Sequence, residues 1–121
     1  MPNTLTENKR ILDATTYDSI SLHTAQPDDS GSNEVNGGSY ARATGLTFGA
    51  ATNPTGTTAR RTCSTQPTLN VPAGTTVTHI GLWGGSTFRG YYDCTNETFA
   101  ADGSYKVTGL GGTGNPYVEL T

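Results

Sequence analysis

Apolar and polar positions change their spacing within the first twenty residues of the chain. Leu5, Ile11 and Leu12 fall roughly on one side of a helical spiral, with Glu7, Lys9 and Arg10 on the solvent side. Thr4 followed three residues later by Glu7 is a capping-box pattern, in which each side chain satisfies an orphan amide of the other residue. Residues 4–14 therefore predict a helix, too short to hold by itself. From Tyr17 the period drops to two. Ile20 and Leu22 point one way and Ser19, Ser21 and His23 the other, which predicts a half-buried strand.

Gln26 to Gly31 is a turn by composition, and Asn36-Gly37-Gly38 is a second break. Strands are expected at about 40–48, with Leu46 and Phe48 inward, and at 66–71, with Leu69 and Val71 inward. Between them, Asn53-Pro54-Thr55-Gly56-Thr57-Thr58 reads as a surface loop. The segment Thr76 to Trp83 carries bulk on both faces, Ile80 and Leu82 against Val77 and Trp83, so it belongs centrally in a sheet or at an interface. Trp83 to Thr87 has the length and glycines of a hairpin, after which Phe88, Tyr92 and Cys94 alternate with Arg89, Tyr91 and Asp93. Tyr105–Thr108 and Tyr117–Leu120 close the chain on either side of the glycine-rich Gly109–Gly114. About seven short strands broken by turn signals predict an all-β fold, a single β-sandwich or a small barrel. Residues 1–121 form one domain in this reading, whose helical segment 1–16 docks on the sandwich or on a neighbouring subunit.

Composition narrows the class further. Thr contributes 23 residues and Gly 16 of 121, which favours pleated and turn structure over helical bundles. The aliphatic core is lean, yet a net charge of −3 is too small to hold a chain open. No apolar run approaches a membrane span, and Met1 to Arg10 lacks the apolar centre of a secretory signal. With 7 Lys+Arg against 10 Asp+Glu, no electrostatic footprint for nucleic acid appears. The expected protein binds neither nucleic acid nor membrane.

Candidate chemistry is sparse. His23 and His79 lack a nucleophile elbow or a paired-His metal spacing, and His79 reads as a packed, hydrogen-bonded histidine. Asp28, Asp29, Asn33 and Glu34 offer oxygen ligands but not the calcium-loop pattern, so a solvated turn is the simpler reading. Cys63 and Cys94 have no ligand neighbours at metal spacing. They behave either as small buried hydrophobes or as one disulfide, within or between chains, in an oxidising environment. Arg42, Arg60 and Arg61 suit ion pairs or an inter-subunit contact rather than phosphate binding. Trp83, Arg89 and Tyr91 are candidates for a partner surface, and Trp83 with Tyr91 and Tyr92 for sugar stacking. No constellation here amounts to an enzyme, no metal or cofactor is called for, and recognition or assembly is the expected role.

Several blocks carry a resemblance: Ser21-Leu22-His23-Thr24-Ala25-Gln26-Pro27, then Asn33 to Arg42, then Thr47-Phe48-Gly49-Ala50-Ala51, then Gly74 to Trp83, and finally Ala101-Asp102-Gly103. In order and spacing, over roughly residues 17–121, they resemble a family of small tailed-bacteriophage structural proteins of the tail-fibre and minor-tail type. Gln26 stands where Asp is usual, Asp28-Asp29 where a turn glycine tends to be, and the two cysteines are departures. The resemblance implies a non-catalytic virion component made in the host bacterial cytoplasm. Its expected partners are other phage structural proteins of capsid or tail and copies of itself; the alternative, drawn from Trp83, Tyr91, Tyr92 and the loop Gly109–Gly114, is a carbohydrate-binding β-sandwich module whose ligand is a host-surface glycan. The chain has no tandem repeat or heptad from which to build a shaft, so a compact surface subunit is expected, at the tail or decorating the capsid.

Overall fold

A computed structural model describes residues 3–109 and 114–121. The described residues are mostly β, with one short helix, α1 (Leu5–Ala14), ahead of eight strands. These are β1 (Ser19–His23), β2 (Thr52–Thr55), β3 (Thr58–Thr62), β4 (Thr68–Val71), β5 (Thr75–Gly84), β6 (Thr87–Phe99), β7 (Gly103–Lys106) and β8 (Tyr117–Leu120). They form three antiparallel sheets ordered β1-β5-β6, β2-β3-β8 and β4-β7, and the described strands do not close into a barrel. Residues 110–113, within the glycine-rich segment before β8, lie outside the described residues.

The main core lies between the β1-β5-β6 sheet and the β4-β7 pair. Ile20, Leu22, Ile80 and Leu82 meet Leu69, Val71 and Val107 there, with Phe48 and Cys63 completing the cluster. Each such side chain contributes about 1.5–3 kcal/mol by leaving water. A smaller cluster of Leu12, Ala51 and Ala59 docks α1 on the β2-β3-β8 sheet, and Tyr17 touches both clusters. The capping prediction holds in half: the Glu7 amide donates to Thr4 Oγ1 at 3.2 Å, but the Glu7 carboxylate turns to Arg10 instead. On the docked face Asn8 is fully buried, donating through Nδ2 to the Thr57 carbonyl at 2.8 Å.

Three expectations are corrected. The segment 40–48 is not a strand; it runs irregularly, touching the sheets through single bridges at Ala43 and Phe48. Its job is to cover the edge of β1, where Ile20 and Ala43 exchange both backbone hydrogen bonds; the preceding segment adds the Val35 amide, which donates to the Leu22 carbonyl. The segment 53–58 is not a loop but the β2–β3 hairpin, turned at Gly56 with φ +52°. β2 is exposed throughout and carries Pro54, which only an edge strand tolerates. Finally, β1 is buried on both faces rather than one.

Candidate functional site

The polar face of β1 is covered because its groups satisfy one another. Cross-strand pairing sets Ser19 opposite Trp83, Ser21 opposite Gly81 and His23 opposite His79. Trp83, only 5% exposed, donates its indole Nε1–H to Ser21 Oγ at 2.8 Å. Ser21 Oγ lies 2.7 Å from His23 Nε2, and His23 Nδ1 lies 2.8 Å from the Ser32 carbonyl. A carbonyl only accepts, so Nδ1 carries the proton and Nε2 accepts from Ser21. The result is a one-way chain from Trp83 through Ser21 and His23 to Ser32. Gly31, at φ +77°, sits so close to Trp83 and Phe88 that a Cβ there would approach their ring carbons within 2.7–2.9 Å. Burial pushes His23 below the ordinary histidine value, against the opposing pull of the Ser32 hydrogen bond.

A second cluster closes the edge of this face. Glu34 accepts from Arg42 Nε at 2.9 Å and Nη2 at 2.9 Å, and from Tyr40 Oη at 2.7 Å. Tyr40 Oη in turn accepts the Leu22 amide at 3.0 Å. Arg42 lies flat over the Trp83 ring, 3.5 Å from its centroid. Burial works against the charge on Glu34, but the bonds from Arg42 and Tyr40 prevail and hold its carboxyl below the ordinary value.

The structure separates the candidate partner-surface residues. Trp83 and Arg42 pair with each other, and the indole's contacts are internal. Arg60 bonds Glu119 at 2.7 Å and lies 3.9 Å from the centre of the Tyr117 ring. Arg61 donates to four carbonyls: Leu12 at 3.0 Å, Thr15 at 2.7 Å, Phe48 at 3.0 Å and Gly49 at 2.9 Å. It thus holds the C-terminal end of α1 to the loop 47–49. Arg89 and Tyr91 remain outward, and Tyr91, at 42%, is the large hydrophobic exposed among the described residues. Cys63 and Cys94 are free thiols, the first buried and the second half-buried.

Tyr91 packs edge-on to His79 at 5.8 Å, and His79 Nε2 lies 3.5 Å from the exposed Asp93. Across a shallow basin from Tyr91 runs the turn Gln26–Ser30. Asp28 organises that turn, accepting from the Ser30 hydroxyl at 2.7 Å and the Ser30 amide at 2.9 Å; these bonds bring its carboxyl down to about 2. Tyr91 also borders a groove of about 340 Å³ that separates Arg89–Tyr92 from Tyr117–Glu119 of β8, with Tyr17 and Leu82 also lining it. Tyr17 and Tyr117 had no sequence signal as site residues; only the approach of two distant strands brings them together.

Polar clusters thus bind loops to sheets, and an irregular coat covers the edge of β1, in a mostly β protein. Over residues 6–97 the chain matches the model of the family described as Podophage GP4 fiber I protein gp80, and it belongs to that family. No curated protein and no solved structure matches it. The chain is accordingly a tailed-phage structural protein of the tail-fibre type, a virion component that associates with other phage structural proteins.

Proposed function

We propose that the chain is a non-enzymatic, compact accessory subunit of the particle, placed with the tail fibres rather than on the capsid shell. The family match over residues 6–97 carries this reading. The internal use of its reactive groups supports it. The Ser21–His23 pair has the spacing of a nucleophile and base, but both residues are 0% exposed and Ser21 already accepts from Trp83, so substrate cannot reach them. A subunit with so few aliphatic residues gains from area shared with copies of itself and with other virion proteins. Quantitative mass spectrometry of washed particles tests the proposal. A few to some tens of copies per particle is the expected result; hundreds would place it on the capsid, and none would overturn it.

A second reading, recognition of a host-surface glycan, is favoured by Tyr91, an exposed ring beside the polar turn Gln26–Ser30.

A further inference from the structure

From the groove between β6 and β8 we infer a binding site for an acidic saccharide, a sugar bearing a carboxylate, with Arg89 as the group that selects its charge. The inference deepens the glycan reading and rests on it, but moves the site from the basin beside the turn Gln26–Ser30 to the groove, which Tyr91 also borders. Three observations carry it.

The first is charge. Of the five arginines, Arg10, Arg42 and Arg60 are paired with carboxylates and Arg61 with carbonyls, while Arg89 has no partner among the described residues. Its side chain passes over Gly84, where a Cβ would stand 2.9 Å from Arg89 Nε. Glu119, the carboxylate on the facing wall, is neutralised by Arg60. The groove therefore presents one uncompensated guanidinium, whose planar fork fits a carboxylate.

The second is shape. At about 340 Å³ the groove falls within the range of small-ligand sites. Tyr17, Tyr91, Tyr92 and Tyr117 line it, side chains of the kind that pack on the C–H face of a pyranose. A Cβ on Gly90 would meet nothing within 4 Å, so the space beside this strand is open.

The third separates a sugar from a peptide. Two strand edges facing each other invite an added strand, which needs regular backbone. Here Leu82 pairs with Gly90 and Trp83 with Phe88, leaving Arg89 as the extra residue of a bulge. Bulges interrupt the ladder and blunt edge pairing. A compact polar ligand does not need the ladder.

The test is calorimetric titration of the purified chain with digalacturonic acid, its doubly methyl-esterified neutral form and a glutamate tetrapeptide. The acidic disaccharide should bind, weaken several-fold between about 0.02 M and about 0.5 M NaCl, and lose roughly ten-fold or more in affinity in Arg89→Ala. Gly90→Val should fill the groove and abolish binding while circular dichroism stays unchanged. Gln26→Ala, in the basin beside the turn Gln26–Ser30 and outside the groove, should leave binding intact. Binding lost in Gln26→Ala but kept in Arg89→Ala and Gly90→Val would overturn the groove while sparing the glycan reading. Absence of binding by both sugars would overturn both. Preference for the neutral ester or for the tetrapeptide would overturn the assignment of an acidic saccharide.

Discussion

Trp83 and Ser21 lie 62 positions apart in sequence and are joined by a 2.8 Å hydrogen bond inside the closed face of the first sheet. That bond exists because Gly81, between them on β5, has no side chain. A Cβ at Gly81 would fall inside contact distance of Ser21 Oγ, 2.6 Å from His23 Nε2 and 3.0 Å from Phe88. Gly81→Ala would have to push the hydroxyl or the imidazole off its partner, adding overpacking of roughly 1–3 kcal/mol to the cost of a buried unpaired polar group. The expected loss is about 3 kcal/mol, read as a lower denaturant midpoint, with a red-shifted Trp83 emission if the indole loses its cover. An unchanged midpoint would show that the face is loosely packed.

His23 makes stability depend on pH. Its Nδ1–H is committed to Ser32 and its Nε2 accepts from Ser21. A proton on Nε2 would face an oxygen that already accepts from Trp83, and the Ser21 hydroxyl proton would be left without an acceptor. The nearby charges are Glu34, which favours protonation, and Arg42 with His79, which oppose it, but burial dominates and the native pKa is lowered. The unfolded chain thus binds the proton first, near pH 6.5, and below that point it holds more protons than the native state. Stability should be full above about pH 6.5 and fall as pH drops below it. Urea midpoints from pH 8 to pH 5 should show this slope in the wild type and lose it in His23→Gln. A slope that survives in His23→Gln belongs to another group.

The helix and the β5–β6 hairpin were legible because their signals are local: a cap three residues from its partner, and glycines between two alternating runs. The hairpin Thr52–Thr62 was not, since β2 is wholly exposed and β3 carries Arg60-Arg61, so neither displays a buried stripe. Alternation in β1 correctly separated Ile20 and Leu22 from Ser19, Ser21 and His23. It could not show that the second set is also covered, because the groups that satisfy it, Trp83 and Ser32, come from elsewhere in the chain. For the same reason Arg42, Arg60 and Arg61 look alike in sequence, while their roles depend on carboxylates, rings and carbonyls brought up from other segments.

The two thiols should differ in access. Cys63 is 1% exposed, and burial pushes the half-buried Cys94 thiol up, against a hydrogen bond with Tyr105 that works the other way. A raised pKa leaves less thiolate, the reactive form. Native protein is therefore expected to react slowly with a disulfide reagent at neutral pH, and urea-unfolded protein to release two equivalents at once. Cys94→Ser should remove most of the slow native reaction. Rapid native labelling of Cys63 would mean that the core around Phe48 opens far more readily than its packing implies.

Arg60 and Arg61 are adjacent on β3, point to opposite faces, and should not be equally costly to remove. Arg60 makes one partly exposed ion pair with Glu119 and stacks on Tyr117. Pairs and stacks of that kind contribute about 1 kcal/mol together. Arg61 satisfies the Thr15 carbonyl at the end of α1, adds a second donor to the Leu12 carbonyl that already accepts the Thr15 amide, and ties both to Phe48 and Gly49. Charge-assisted bonds to partly buried carbonyls contribute more each, so Arg61→Ala should cost about 2–3 kcal/mol. Lysine brings charge without the fork, and Arg61→Lys should recover less than half of the loss. Hydrogen exchange should localise the damage: amides of Leu5–Ala14 lose protection in Arg61→Ala and keep it in Arg60→Ala. If both variants unfold at the same denaturant concentration, α1 is held by Leu12 and its apolar neighbours alone, and the guanidinium is incidental.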